Sequence, residues 1–256
     1  MIKEKIKFEN SINISKWNFR KKSYNELLEK YSFSKNEFFY HQLDITKEDS
    51  ILNLISWIKK EFGKIDYLVN NAGLGTKGNR TDINIHNAVL EVNVFGTINF
   101  TETMLKNDMI NKSGKIILLG SMMGNLNYLN SSLLKSKFKI AKTVQELLDL
   151  TNNFKISFNN KTTDKDGWCI KSYSVSKMVV NTYARVLSLR NEIEINDISV
   201  YAAHPGWVKT DMTGPEAPLS VEEGVVNEIF LIELPDGINP KYQGKYFDNC
   251  KVSSFE

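Results

Sequence analysis

The sequence predicts an α/β domain, a doubly wound parallel sheet with helices on both faces. Three observations carry this. Short apolar runs alternate with segments of helical period along the 256 residues. Polar or small residues suited to a ligand, Asp44-Ile45, Asn71-Ala72-Gly73, Ser121 and Pro205-Gly206, each come directly after one of those runs. No repeat, low-complexity tract or linker divides the chain, so 1–256 reads as a single domain. Strands separated by helices require right-handed crossovers, and these give a parallel sheet covered on both faces. Ligands then lie at the carboxyl ends of the strands.

The elements follow in order. Ile12 to Ser15 reads as a short strand. Ser23-Tyr24-Asn25-Glu26 is a capping-box pattern that opens a helix ending near Tyr31. Phe38 to Gln42 reads as a strand. A helix begins at Thr46, with Ile51, Ile55, Ile58 and Phe62 on one face, and stops at Gly63. Asp66 to Asn70 is a strand ending in the turn Asn70-Asn71-Ala72-Gly73. A long helical pattern covers Asp82 to Asn111, and Lys115 to Gly120 is a strand. Ser172 to Arg190 is a helix, and Asp197 to Ala203 and Gly244 to Phe247 are strands.

Composition narrows the function. A hydrophobic share of 41% is enough for a globular core. The net charge of +3 is scattered, which gives no argument for a nucleic-acid partner. No apolar run approaches the length of a membrane span, and Met1-Ile2-Lys3-Glu4-Lys5 lacks the apolar core of a signal peptide. Cys169 and Cys250 form no disulfide framework, and His41, His86 and His204 lie too far apart to suggest a metal site. The expected location is cytoplasmic.

Tyr173-Ser174-Val175-Ser176-Lys177 carries the chemistry. A Tyr and a Lys four apart share a helix face, so an ammonium lies beside a phenol. A neighbouring cation favours phenolate and lowers a Tyr pKa below about 10. Such a phenol can protonate a carbonyl oxygen as hydride reaches the carbon. The pattern needs company, because Tyr31-Ser32-Phe33-Ser34-Lys35 repeats it elsewhere. Asn93 is a polar residue in an apolar helix. Ser121 closes an apolar strand where a hydroxyl can hold a carbonyl oxygen. His204-Pro205-Gly206 is a turn that exposes backbone amides.

In order and spacing these residues resemble the short-chain dehydrogenase/reductase family, from about Phe38 to the C-terminus. The likeness is greatest to its carbonyl reductase branch. It rests on His41-Gln42-Leu43-Asp44-Ile45, Leu68-Val69-Asn70-Asn71-Ala72-Gly73, Pro205-Gly206-Trp207-Val208-Lys209-Thr210-Asp211-Met212 and Glu222-Glu223-Gly224, and on the 51 residues between Ser121 and Tyr173. The resemblance implies a Rossmann-like fold, with a helical insertion between about 124 and 168 that favours a monomer. It implies NADPH as cofactor and a small-molecule carbonyl substrate.

Residue by residue, it makes Tyr173 the general acid, and gives Lys177 to the Tyr173 pKa and the nicotinamide ribose. Ser121 holds the substrate oxygen, and Asn93 holds a water that relays protons to Lys177. Asp44 and Ile45 flank adenine. Asn71, Ala72 and Gly73 line the adenosine ribose region. Pro205, Gly206, Val208 and Thr210 close over the nicotinamide, and Met122 and Trp207 wall the substrate pocket.

One expected feature is missing. The family opens on a strand and a Gly-rich turn that brings backbone N–H groups to the pyrophosphate. Residues 1 to 37 contain no Gly. Ile12 to Ser15 matches the second strand instead. Lys16, Arg20, Lys21 and Lys22 behind it suit the 2′-phosphate of NADP, or a solvated helix start. Three readings follow: an N-terminally truncated copy of an enzyme without its first strand, a substitute strand built from the first residues, or a degenerate binding protein that does not catalyse.

Overall fold

The computed structural model describes residues 17–32, 34, 37–76, 82–169 and 171–256, with side chains from Tyr24 onward. The strand expected at Ile12 to Ser15 lies outside the described residues, as do Lys16 and the side chains of Arg20, Lys21 and Lys22.

Helix α1, Trp17–Tyr31, starts six residues before the expected capping box at Ser23. Phe38 to Gln42 forms no strand among the described residues. Phe38 is buried and stacks on Tyr24, and Phe39 packs edge-on against Trp57 and Phe62. Aromatic content gives the segment strand propensity, and the Tyr24 hydroxyl also donates to Phe38 O at 2.8 Å. Asp44 then shapes the entry to α2, Glu48–Glu61. Its Oδ1 accepts from Thr46 N at 2.9 Å and Thr46 Oγ1 at 2.7 Å. Ile51, Leu54, Ile55 and Ile58 form the buried stripe of α2. Gly63, at φ +77°, ends the helix with its N–H on the Ile58 and Lys59 carbonyls.

The next described elements are β1, Ile65–Asn70, and α3, Ile83–Leu90, which Asp82 caps by accepting from the Asn84 N–H. The expected single helix from Asp82 to Asn111 is divided. A π-helical turn, Glu91–Gly96, separates α3 from α4, Thr97–Lys106. β2, Ile110–Leu119, begins earlier than expected, and α7, Ser172–Ser188, ends close to its expected limit. Between them lie two 3₁₀ turns, Met122–Gly124 and Leu126–Tyr128, then α5, Ser132–Ile140, and α6, Val144–Asn159. These are the expected helical insertion. A reciprocal Thr143–Glu146 capping box starts α6.

After α7 come α8, Asn191–Ile195, and β3, Ser199–Ala203. Then follow α9, Val221–Gly224, α10, Val226–Glu233, and the hairpin β4, Tyr246–Asp248, with β5, Lys251–Ser253. The strand order among the described residues is β1-β2-β3-β4-β5. All neighbours pair in parallel except β4 with β5. β2 and β3 are buried on both faces. Ile116 and Leu118 face the larger core with Val179 and Tyr183 of α7, while Ile117 and Leu119 face a smaller one with Leu231 of α10. This double burial explains the unbroken apolar runs. It also fixes the ends of β1, β2 and β3 side by side.

Candidate active site

The loops after β1, β2 and β3 meet α7 at the carboxyl edge of the sheet. Tyr173 lies in the first turn of α7 and Lys177 one turn on. The Lys177 ammonium is 5.8 Å from the centre of the Tyr173 ring and donates to Leu119 O at 2.5 Å. Burial lowers the Lys177 pKa to about 8. Burial also raises the Tyr173 pKa above its ordinary value, against a smaller lowering by the Ser121 hydroxyl beside it. The sequence predicts the opposite direction for Tyr173. Desolvation disfavours the phenolate more than its neighbours favour it, so Tyr173 keeps its proton at neutral pH, as a proton donor must.

Ser121, buried at the end of β2, caps the first 3₁₀ turn by accepting from Met123 N at 3.1 Å. Its O–H remains available to donate. Asn93 lies inside the π turn and is 1% exposed. Its Oδ1 accepts from Leu74 N at 2.7 Å, and its Nδ2 donates to Leu74 O and Ser176 Oγ, both at 3.0 Å. Both amide protons are committed, so the side chain braces the loop after β1 against α7. The wider π turn carries Asn93 across that gap, a placement that an uninterrupted helical period does not reveal.

The remaining predicted residues divide by position. Gly73 sits directly over the site: a Cβ there would lie 3.4 Å from Asn93 Oδ1 and 3.8 Å from Lys177 Nζ. Asn71 is exposed beside it and Ala72 is half-buried. The Asp44 Oδ1 is taken up by Thr46. Ile45 is 3% exposed and its side chain fills the space beside Gly96, so it serves the core. Pro205 and Gly206 follow β3, and Gly206, at φ +87°, donates to His204 Nδ1 at 3.3 Å. Val208 bridges Leu219 and packs against Gly224, while Thr210 is exposed and bonds Thr213. Met122 and Trp207 are 55% and 53% exposed, as walls of an open pocket would be.

Sequence reasoning misses Ser176 and Asn181. Asn181 is fully buried and bonds the backbone of Ser121. The spacing Tyr173, Lys177, Asn181, at i, i+4 and i+8 on one face of α7, is the signal that finds it.

A second concavity, at the amino ends of β2 and β3, is lined by Glu102, Asp108 and Arg190. Glu102 there accepts from Arg190 and from Tyr183. Glu102, Arg190 and Tyr183 thus satisfy one another, and Asp108 pairs with Lys64.

A mainly parallel α/β sheet thus gathers Ser121, Tyr173 and Lys177 at its carboxyl edge. The short chain dehydrogenase family model matches residues 14–163. The chain is 36% identical over 220 residues to carbonyl reductase (NADPH) 1 of Mus musculus, covering 83% of this chain and 78% of that one. It is 32% identical over 211 residues to carbonyl reductase (NADPH) 3 of Rattus norvegicus, covering 80% and 76%. Among solved structures, salutaridine reductase from Papaver somniferum superposes with a TM-score of 0.76 at 25% identity, covering 89% of this chain and 88% of that one. An NADPH-bound carbonyl reductase from chicken fatty liver shares the fold at 18% identity, with a TM-score of 0.67 over 98% and 88%. The chain belongs to the short-chain dehydrogenase/reductase family.

Proposed function

We propose that the protein is an NADPH-dependent carbonyl reductase acting on small ketones, aldehydes or quinones. The observation that carries this reading is that Ser121, just past the end of β2, lies beside Tyr173 of α7, with Lys177 one turn further on the same helix. Relatives named NADPH carbonyl reductases, at 32 to 36% identity, support it.

The residues fit the nicotinamide end of the cofactor. Gly73 leaves space above Asn93 and Lys177 that a side chain would fill, and Lys177 keeps N–H donors beyond the one given to Leu119 O. Asn71, Lys177, Pro205, Gly206, Val208 and Thr210 would hold the cofactor. Bound NADPH supplies the hydride. Ser121 donates its O–H to the substrate oxygen and orients it. Tyr173 gives that oxygen its proton. The positive charge of Lys177 stabilises the phenolate left behind. Asn93 holds the Gly73–Leu74 loop and Ser176 in place. Met122 and Trp207 flank the substrate.

The protein works as a monomer in the cytoplasm, with no nucleic-acid or membrane partner. In support of the monomer, α6 packs against α7 and α3, and α5 against α7.

Purified protein should oxidise NADPH in the presence of a reactive dicarbonyl. Tyr173→Phe should lower kcat by about a hundredfold or more, as loss of a general acid does. Activity that survives this change sinks the mechanism. A second reading, a non-catalytic reductase-like binding protein unable to hold the dinucleotide, is favoured by one observation: residues 1–62 contain no Gly. Micromolar NADPH binding in a calorimetric titration would rule it out.

A further inference from the structure

Residues 119 to 124 are tied to α7 at three points. One is the bond from Lys177 Nζ to Leu119 O. The other two come from Asn181, whose Oδ1 accepts from Ser121 N at 3.3 Å and whose Nδ2 donates to Ser121 O at 3.1 Å. The carboxamide thus pairs with both backbone groups of one residue. A longer contact, at 3.5 Å, reaches Gly124 O.

The sequence around Ser121 is shaped for this grip. A Cβ on Gly120 would lie 2.0 Å from Asn181 Oδ1, and one on Gly124 would lie 2.7 Å from Asn181 Nδ2. Glycine on either side of Ser121 is what lets the turn close on the amide. Asn181 is 0% exposed, so water does not compete for these bonds. It lies on the same face of α7 as Tyr173 and Lys177, at successive spacings of four. One rigid helix therefore carries the phenol and also fixes the backbone that bears the hydroxyl.

We propose that Asn181 is a positioning residue for carbonyl reduction: it sets the Ser121 hydroxyl opposite the Tyr173 phenol so that both reach one carbonyl oxygen. The proposal rests on the reductase reading above. Asn181 touches neither substrate nor cofactor and acts through Ser121.

A double-mutant cycle on the full chain tests it, with NADPH and a dicarbonyl as substrates. Ser121→Ala removes the hydroxyl and should cost about a hundredfold in kcat. Asn181→Ala should cost roughly tenfold to a hundredfold, the scale of a misplaced catalytic group, and leave KM for NADPH within about twofold. In the Ser121→Ala background, Asn181→Ala should cost less than about threefold, because its effect runs through the missing hydroxyl. Costs that multiply in the double variant overturn the proposal, since a merely structural residue would weaken both backgrounds alike. If Asn181→Ala does not fold, Asn181→Ser takes its place in the cycle.

Hydrogen exchange gives an independent reading. Backbone amides of residues 119–126 should exchange at least about tenfold faster in the Asn181 variant, with the rest of α7 unchanged. Unchanged exchange at Ser121 overturns the proposal even if activity falls. Should the natural chain turn over no carbonyl, the reductase reading fails by itself, and exchange still decides whether Asn181 holds the turn.

Discussion

Lys177 shows how burial sets the chemistry at the residue scale. Its side chain sits under the Gly73 loop with one carbonyl partner, and loss of hydration lowers its pKa to about 8. In the proposed mechanism the cation is the useful form, because it stabilises the phenolate that Tyr173 becomes. As pH rises through about 8 the charge is lost, so kcat/KM for NADPH should fall about tenfold per pH unit above that point. Lys177→Met should abolish this limb, and a limb that persists in the variant assigns it to another group. Stability must follow with the opposite sense. Between about 8 and the ordinary 10.5, the unfolded chain holds a proton that the folded chain has released. Stability therefore rises with pH across this window relative to Lys177→Met. The Tyr173–Lys177 pair is legible in the sequence from spacing. The direction of the Tyr173 shift is not, because spacing says that the charges are near and nothing about how much water the fold removes.

The first 3₁₀ turn after β2 depends on contact with α7 at the scale of elements. A Cβ on Gly124 would lie 2.5 Å from the Lys177 carbonyl carbon and 2.6 Å from its oxygen. Backbone cannot yield as a flexible side chain does, so the turn must lift from α7 and carry Ser121 with it. Gly124→Ala should cost about 1–3 kcal/mol of stability, as overpacking does, and lower kcat by about tenfold or more. Gly63→Ala is the control. A Cβ there meets nothing, and only the strain of φ +77° remains, about 1–2 kcal/mol with kcat unchanged. Equal kinetic losses in both would refute the packing account.

The elements differ in how plainly they can be read. β2 and β3 are legible because burial on both faces leaves apolar runs at Ile116–Leu119 and Val200–Ala203. β5 is not, since Lys251, Val252 and Ser253 are all exposed and carry no burial pattern. The π turn at Asn93 is hidden because apolar residues continue through it. Phe38 to Gln42 misleads because aromatic packing and strand pairing select the same residues.

At the scale of the whole molecule, the proposed site is tested by how firmly the chain holds NADPH. The described residues supply the Tyr173–Lys177 pair, the Gly73 cradle and the turn at Gly206. Ligand linkage measures the sum. A ligand that binds only the folded state at a hundred times its Kd adds about 2.7 kcal/mol. For a chain of this size each kcal/mol moves Tm by about 2–4 °C. NADPH in that excess should therefore raise Tm by roughly 5–10 °C. NADH at the same concentration should raise it less if basic groups engage the 2′-phosphate. Tyr173→Phe should keep nearly the whole shift, because it removes a proton and little binding surface. A shift absent with NADPH at millimolar concentration would mean that the Ser121, Tyr173 and Lys177 site has no cofactor to serve. A shift of the expected size without turnover would retain the cofactor and discard the reaction.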